Sequence, residues 1–358
     1  MDKTLASKVI DTARFYMSGD NCQPFRYRFN IATQTFHIDY LADKAKHTFV
    51  YDDYTILLTL GSLLEYLDIT LKENSYDCKL TFNFDKFCPF EDYSSVCTVN
   101  VHKKPKLTNE ETLFSVLKKR FTDRRAYLGP ATIDIKMGSI NKNLTHSSCQ
   151  LFKNAPSTTL DFFAACDSAI WHSKALGIDI MNAVAFDPNS PTGLPWRNLG
   201  VKTSEVAFVR LIQKFHWFFD LMKLLGARIL MTRAQKKLWQ SSNSCLIFKY
   251  NASLSRQDKV IACKQMMQTL LQLSKEGYVF QPSTMSAEFL NIPFKSINIF
   301  NSAKMSSTNL IDEIDAQREL LDIKEEIQWV LRVGKVKTPL DESALTNRQA
   351  TETLLKFE

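Results

Sequence analysis

Three arginines and a threonine lie within six residues of the chain, at Arg120, Thr122, Arg124 and Arg125. Guanidinium groups form charge-assisted hydrogen bonds with phosphate oxygens, and a hydroxyl can add another from a different direction. The spacing therefore indicates a phosphate-binding loop, at the end of a helix that is predicted to open at 109–112. A solvated basic helix end, favoured by the helix dipole, is the alternative that this pattern leaves open.

A second candidate is the polar turn at residues 17–25, which contains Ser18, Asn21 and Gln23. The apolar spacing before this turn predicts a helix capped by Ser7, and the alternation after it predicts a strand. Amide and hydroxyl groups between a helix and a strand are well suited to present donors and acceptors to a flat heteroaromatic ring. An ordinary helix-to-strand loop is the alternative.

No other residue pattern in the chain indicates catalytic or metal chemistry. The sequence contains no Ser-His-Asp arrangement and no paired carboxylates, and its six histidines follow no pattern. The eight cysteines form no Cys-x-x-Cys pair, and no histidine lies near enough in sequence to complete a zinc site. We therefore predict neither a catalytic side chain nor a metal ligand.

The composition is that of an ordinary globular protein, with 45% hydrophobic and 23% charged residues. The formal net charge is +7, and the basic residues are scattered along the chain rather than concentrated in one run. This distribution does not indicate a nucleic-acid partner. A small phosphate-bearing ligand fits the same charge.

The most apolar run of the chain, residues 215–231, contains His216, Asp220, Lys223 and Arg228. A membrane span would not carry four such groups, so this run predicts a buried helix and no membrane partner. The first residues lack the apolar core of a signal peptide. We therefore expect a cytoplasmic protein with reduced thiols.

The order of apolar patterns predicts an α+β fold, with a mixed, mainly antiparallel sheet flanked by helices. A long helix is expected from Tyr54 to Leu71, in which Gly61 allows a neighbour to approach closely. A basic, proline-containing joint is expected at 103–106. The remaining predicted strands are at 33–40, 76–84, 97–101 and 327–334, and the remaining predicted helices are at 158–176, 205–230 and 259–275.

Two segments resemble motifs of the nitroreductase-like flavoproteins. The segment ARFYMSGDNCQPFRYRF (13–29) resembles the family's AR-x-APS-x-x-N-x-QPWRF, and RFTDRRAY (120–127) is similar to R-R-[ST]-x-R-x-[FY]. The Gly-Asp inside the first segment is closer to the Acg-type subfamily, in which two nitroreductase halves are fused. Met17 and Phe25 depart from the family, which usually has Pro and Trp there.

The resemblance implies a bound flavin mononucleotide, FMN. In the family, the first motif reaches the ribityl chain and ring, and the second holds the phosphate and the pyrimidine side of the ring. A later loop touches the ring edge, and a basic residue near the end of the chain meets the phosphate. Carried over to this sequence, the cofactor-binding residues are Ser18, Asn21, Gln23, Arg120, Thr122, Arg124, Pro282, Ser283 and Arg348.

The resemblance also implies an internally duplicated, nitroreductase-like pseudo-dimer, with one half at 1–107 and the other at 108–358. Each motif occurs once and in a different half, so we expect one flavin site per chain, in a monomer that mimics a dimer or in a homodimer. The implied activity is that of an FMN-dependent oxidoreductase. Hydride would pass by a ping-pong mechanism from NAD(P)H through FMN to a nitroaromatic or quinone-like acceptor.

Two other functions stay open, and the first is suggested by a turn-rich segment, Asp187–Trp196, which resembles the lid over the flavin pocket of Acg-type proteins. A closed lid, with Trp196 against the flavin face, would make the protein a non-catalytic FMN-sequestering protein. Alternatively, the departures from the family motifs would mark a scaffold that has lost flavin. A plain surface loop is the structural alternative for the segment itself.

Overall fold

The computed structural model describes seven stretches of the chain, namely residues 1–45, 52–105, 113–171, 173–199, 203–294, 308–338 and 346–358. The predicted helix start at 109–112, and the end of the predicted joint at 106, lie outside these stretches. The α+β class with mainly antiparallel sheets is confirmed.

The strands form two main sheets and one short pair. The first sheet has the order β11-β1-β2-β4-β3, and the second has the order β5-β8-β10-β9. All neighbours are antiparallel except β1 with β11 and the short pair β6 with β7. The strands are β1 (Phe25–Asn30), β2 (Thr35–Tyr40), β3 (Tyr76–Phe82), β4 (Tyr93–Lys103), β5 (Ser147–Lys153), β6 (Val184–Ala185), β7 (Leu194–Pro195), β8 (Ser244–Tyr250), β9 (Val279–Pro282), β10 (Glu326–Gly334) and β11 (Leu355–Phe357).

Helices cover both sheets and fill the space between them. In the described residues they are α1 (Lys3–Ala13), α2 (Ala42–Ala45), α3 (Tyr54–Glu73), α4 (Phe114–Leu117), α5 (Met137–Lys142), α6 (Ser157–Asp167), α7 (Lys174–Asn182), α8 (Thr203–Lys214), α9 (Trp217–Leu224), α10 (Ala227–Ser242), α11 (Arg256–Lys275), α12 (Thr284–Leu290), α13 (Thr308–Leu320) and α14 (Thr351–Leu354).

The two longest helices, α3 and α11, pack side by side at the centre of the molecule. A Cβ placed on Gly61 would lie 2.4 Å from the Cβ of Cys263 and 2.8 Å from the carbonyl oxygen of Val260. Only glycine permits so close an approach of the two backbones. The predicted role of Gly61 is therefore confirmed.

Helix α3 is also long and apolar enough to satisfy the length and hydropathy of a membrane span, and it is the one such helix among the described residues. However, 89% of that apolar window is buried inside the protein. The helix is thus part of the core. All eight cysteines are free thiols.

The two sheets divide the chain near the predicted boundary, with one exception. The first sheet takes β1 to β4 from residues 25–103, and the second takes β5 and β8 to β10 from residues 147–334. Strand β11 comes from the end of the chain, yet it pairs in parallel with β1, where Tyr27 faces Leu355. The C-terminal segment therefore returns to the N-terminal sheet and passes the polar turn on its way.

Several predicted elements were wrong in extent. The helix expected at 158–176 is divided between α6, a 3₁₀ turn and α7, and the helix expected at 205–230 is divided among α8, α9 and α10. Asp2, rather than Ser7, caps α1, because its Oδ1 accepts a hydrogen bond from the Leu5 N–H at 2.8 Å. Ser7 lies inside the helix.

The predicted burial of residues 215–231 was also wrong. Phe219 and Ala227 are buried, but Trp217 is 61% exposed and Leu224 is 84% exposed. The residue types indicated a strongly apolar helix, but composition does not reveal on which side the rest of the protein lies.

Candidate functional site

The polar turn follows α1 directly and has an unusual backbone. Asp20, Asn21 and Gln23 all have positive φ values, of 45°, 57° and 49°. Non-glycine residues adopt this region at a cost, and a cluster of such residues is typical of functional sites. Ser18 helps to hold the turn, since its Oγ accepts a hydrogen bond from the Gln23 N–H at 3.3 Å.

The arginine loop, residues 120–127, is held against β9 and by its own ion pair. The N–H of Asp123 donates to the carbonyl of Phe280 at 2.9 Å, and Thr122 forms a parallel bridge with the same residue. The buried Asp123 carboxylate pairs with Arg125 at 2.7 Å. Arg125 is thus neutralised within the loop, whereas Arg120 and Arg124 are not.

A second support for the arginine loop comes from Arg332 on β10, which the sequence analysis did not single out. Its guanidinium lies 3.9 Å from the centroid of the Tyr127 ring and donates to the carbonyl of Arg125 at 2.8 Å. Its other N–H groups bind Gln281 Oε1 and a carbonyl of α10. The signal for this residue was a lone basic side chain within a strand that is mostly apolar.

The polar turn and the arginine loop meet in one cleft between the two halves of the chain. The space in this cleft that can hold water-sized groups is about 50 Å³, which is well below the usual range of small-molecule sites. Most of this space is narrow, so a flavin-sized ring would require some movement of the walls. Six of the nine predicted residues line the cleft, namely Ser18, Asn21, Arg120, Thr122, Arg124 and Arg348.

Three guanidinium groups in this cleft have no ion pair within the described part of the chain. Arg120 Nε donates to the Tyr66 hydroxyl at 3.1 Å, and Arg124 donates to the Asn198 carbonyl at 3.3 Å. Arg348 donates to the carbonyl of Tyr16 at 3.3 Å and to carbonyls of its own segment. All three hydrogen-bond partners are neutral, and among the described residues none of the three guanidinium groups forms an ion pair. We call Arg120, Arg124 and Arg348 the guanidinium cluster.

The electrostatics of the cluster reflect this lack of pairing. Burial, together with the charge of the neighbouring Arg120, lowers the pKa of Arg348 to about 10. Burial also lowers the pKa of Arg124, although the nearby carboxylates of Asp20 and Asp123 oppose this shift. The Nε of Arg348 is buried and has no hydrogen-bond partner. Each of these features would be relieved by an anion in the cleft.

Gln23 does not line the cleft, and the structure brings its side chain to the lid instead. Its Nε2 donates to the carbonyl of Pro191 at 2.7 Å, and its Oε1 accepts from the Gln349 N–H at 3.0 Å. Asn21 adds bonds from Nδ2 to the carbonyls of Gly193 and Asn347, at 3.2 and 3.0 Å. These two amides join the polar turn to the lid and to the C-terminal segment. We call them the amide latch.

The lid, Asp187–Trp196, is partly ordered by the short pair of β6 with β7. Leu194 and Asn198 contribute to the wall of the cleft. Trp196 does not line the cleft, and Arg197 lies over its ring at 5.7 Å. The apolar lid residue at the cleft is therefore Leu194 rather than the tryptophan that sequence analysis favoured.

Pro282 and Ser283 also lie away from the cleft wall. Pro282 pairs with Leu331 at the end of β9, and Ser283 caps α12. The Ser283 hydroxyl donates to the buried carboxylate of Asp167, which also accepts from Trp239 Nε1 at 2.8 Å. Burial raises the pKa of Asp167 to about 6, against the effect of these two hydrogen bonds.

Besides Leu194, six cleft residues were given no role by sequence analysis: Phe15, Met17, Lys118, Phe121, Asn198 and Thr346. Phe15, Met17 and Phe121 lie inside the two motif segments and Lys118 lies two residues before the second, so only their neighbours gave a signal. Lys118 pairs with Asp11 at 3.0 Å and lies over the Phe15 ring at 5.4 Å. In the described stretches, no group of three or more metal-ligating side chains is found.

Comparisons with known proteins do not identify a family for this chain. No model of a known protein family matches the chain, and no curated protein matches it significantly. The resemblance to nitroreductase-like flavoproteins therefore depends on the two motifs, and the functional argument depends on the cleft that these motifs form.

Proposed function

We propose that the chain binds FMN in this cleft and acts as an FMN-dependent oxidoreductase of the nitroreductase type. The observation that carries the proposal is the convergence of three guanidinium groups, none paired with a carboxylate in the described residues, on a cleft with hydroxyl groups. A phosphate-bearing ligand would supply the missing counter-charge. Flavin is favoured among such ligands by the motif resemblance.

The residues present fit the phosphate end of FMN. Arg348 and Arg120 act on one another electrostatically, so two cations face the same region of the cleft. The buried Nε of Arg348 has a hydrogen to donate and no acceptor, which costs about 1–3 kcal/mol when left unmet. Phosphate oxygens would satisfy this group, and the Thr122 hydroxyl offers a further donor.

The residues near the lid fit a different role, which is to stabilise charge on a bound ring. Arg124 is bonded to the carbonyl of Asn198, so one cation is held at the wall beneath the lid. A fixed cation there would stabilise negative charge that develops on a bound ring. Bound FMN would supply the redox chemistry, taking hydride from NAD(P)H and reducing a nitroaromatic or quinone-like acceptor. No side chain of the chain is assigned as a general acid or base.

The arrangement of the halves supports one site per chain. The residues of the polar turn belong to the first half, and the arginine loop belongs to the second. We infer an internal duplication of the nitroreductase type, in which one chain performs the part of a dimer. A cytoplasmic location and the absence of a nucleic-acid partner remain predictions.

Titration of the apoprotein with FMN tests the proposal. Arg120→Ala should weaken binding by about tenfold to a hundredfold, because a charge-assisted contact contributes about 1.5–3 kcal/mol. Lys119→Ala is the matched control, since Lys119 is exposed and does not line the cleft. Released flavin should reach at most one per chain. Equal affinity in Arg120→Ala and Lys119→Ala would remove the basis of the proposal.

A second function is favoured by the amide latch. Gln23 and Asn21 fix the lid backbone beside the narrow cleft, so FMN could be held while NAD(P)H is excluded. The protein would then sequester FMN without turnover. Lids of this kind control access in many enzymes, and the strength of the latch decides how often the site opens.

The variant Gln23→Ala separates the two functions. If the latch sequesters FMN, the variant should release flavin several times faster and oxidise NADPH faster than the unmodified protein, in the presence of a quinone. If the unmodified protein already turns over rapidly, and Gln23→Ala lowers this rate while keeping its flavin, the closed lid is part of a working active site. Sequestration is then excluded.

A further inference from the structure

Nine large apolar side chains are exposed on α8, α9 and α10 and in the two turns that join these helices. They make up most of the large apolar residues that are exposed in the described stretches. Monomeric proteins rarely expose contiguous apolar patches of this size without a function. We call them the apolar face: Phe208, Leu211, Phe215, Trp217, Leu221, Leu224, Leu225, Ile229 and Leu230.

The inner side of these three helices already has its own core. Trp171 and Phe219 stack with their ring centroids 4.8 Å apart and their planes 6° apart, and Met181 and Ile212 pack around them. Gln213 ties α8 to the base of the lid through hydrogen bonds to the carbonyls of two residues near β6. The side chains of the apolar face are therefore not part of the core that holds these helices to the protein.

The face has a projecting tip where α9 turns into α10. Leu224 and Leu225 are 84% and 67% exposed, and the chain reverses at Gly226, whose φ of 85° favours glycine. Aromatic rings lie at the other end of α9, where Trp217 packs edge-on against Phe218 at 5.9 Å. Exposed leucine and tryptophan side chains on one helix are typical of segments that enter the boundary of a lipid bilayer.

The charge around the face is strongly positive. Residues 203–242 contain seven lysines and arginines but only two acidic residues, a net charge of +5 out of +7 for the whole chain. One of those acidic residues, Asp220, is paired with Lys174. Exposed cations surround the apolar centre on all three helices, among them Arg210, Lys214 and Arg228.

The positive charge around the apolar face indicates which kind of partner could cover it. A second copy of the chain would bring two strongly positive faces together, and like charges at an interface disfavour association. An anionic lipid surface is complementary both to the apolar centre and to the basic surround. Each lysine or arginine near such a surface contributes attraction that falls off within a Debye length.

We propose that α8, α9 and α10 bind the protein peripherally to membranes that contain anionic lipids. The tip of Leu224 and Leu225 enters the boundary between headgroups and acyl chains, and the surrounding cations contact lipid phosphates. The helices lie on the membrane and do not cross it. This inference stands apart from flavin binding, and it departs from the sequence-based expectation of no membrane partner.

Sedimentation of the full chain with lipid vesicles tests the inference. The protein should bind vesicles with roughly one-third phosphatidylglycerol, but not vesicles of phosphatidylcholine alone. The double variant Leu224→Ser, Leu225→Ser should bind at least about tenfold more weakly, because two apolar side chains no longer enter the bilayer. Phe90→Ser is the matched control, since Phe90 is 60% exposed outside this face, and its binding should be unchanged.

Two further measurements keep the test independent of that double variant. Arg228→Gln with Arg233→Gln should also weaken binding, as should raising the salt from about 0.1 M to about 0.5 M. Trp217 fluorescence should shift to the blue on addition of anionic vesicles, and this shift should be lost in Trp217→Phe. Absence of vesicle binding in the unmodified protein overturns the inference. So does a dimer that dissociates in the leucine variant, since the face would then be an interface between copies.

Discussion

Two clusters of charge in this protein differ in one respect, which is whether the chain supplies the opposite charge. At the contact of α3 with α11, Lys264 lies between two carboxylates, at 3.0 Å from Glu65 and in a second ion pair with Asp68. Asp68 also pairs with Lys72 at 3.2 Å. In the guanidinium cluster, by contrast, the hydrogen-bond partners among the described residues are all hydroxyl and carbonyl oxygens.

Both clusters hold charged groups away from water, which costs much free energy unless opposite charges lie nearby. At the contact of α3 with α11, the chain itself supplies these opposite charges. Burial alone would lower the pKa of Lys264, but Glu65 and Asp68 raise it overall. In the cleft the described residues bring no carboxylate to Arg348, and its pKa is lowered by burial and by Arg120. We infer that the first cluster is complete as folded and that the second is completed by a ligand.

The largest expected effect is that of Lys264→Met. Removing this cation leaves the buried Glu65 without an ion pair beside Asp68, and burial already raises the pKa of Glu65. Breaking a buried pair from one side costs about 3–5 kcal/mol, and partial exposure of Lys264 reduces this to about 2–4 kcal/mol. Urea denaturation should show this loss, while the FMN affinity of the folded variant should be unchanged.

The matched variant is Arg348→Met, measured without flavin. Because Arg348 has no internal counter-charge, its removal should leave the free energy of unfolding unchanged or raise it by up to about 1 kcal/mol. FMN affinity should fall. If Arg348→Met were as destabilising as Lys264→Met, the two clusters would be equivalent and the comparison would fail.

A smaller effect is expected for Asp167, a buried carboxylate near the arginines that forms hydrogen bonds but no ion pair among the described residues. Its pKa is raised from 3.8 to about 6, so the folded state holds its proton over a pH range where the unfolded state has lost it. Stability from this group is therefore greatest below about pH 4 and is lost as the pH rises to about 6.

Asp167→Asn should remove this pH dependence, since an amide does not titrate. Relative to the variant, the unmodified protein should lose on the order of 2 kcal/mol of stability between about pH 4 and pH 6.5. Denaturation curves at several pH values measure the difference. Parallel pH profiles for the two proteins would mean that the hydrogen bonds from Ser283 and Trp239 outweigh burial.

Part of the site could be predicted because the residues of a short motif are neighbours in sequence, so they lie close together in any fold. The arginine loop was recognisable from Arg120, Thr122 and Arg124, since charge and spacing within six residues survive in any fold. Gln23 shows the limit of this reasoning. Its position in the motif indicated a cofactor contact, but its amide binds Pro191 and Gln349, which are distant in sequence.

Burial of the helices shows the same limit on a larger scale. The apolar run at 215–231 was correctly predicted to be helical, but it is broken at Gly226 and largely exposed. Hydrophobic content measures how favourable burial would be, not whether a neighbour is present to provide it. Arg332 was missed for the converse reason, because a buried arginine depends on partners such as Tyr127 that only the fold supplies.

The sequence by itself determined the α+β class, the close approach at Gly61 and the residues of the arginine loop. These features depend on backbone periodicity, on the absence of a side chain and on the charge of neighbouring residues, all of which are local. The tertiary structure decided which cations remain unpaired, because Lys264 and Arg348 differ only in the carboxylates that distant segments bring to them. It also decided that the amide latch joins the lid and that the apolar face meets solvent, since contacts between distant segments are set by the packing of the whole chain.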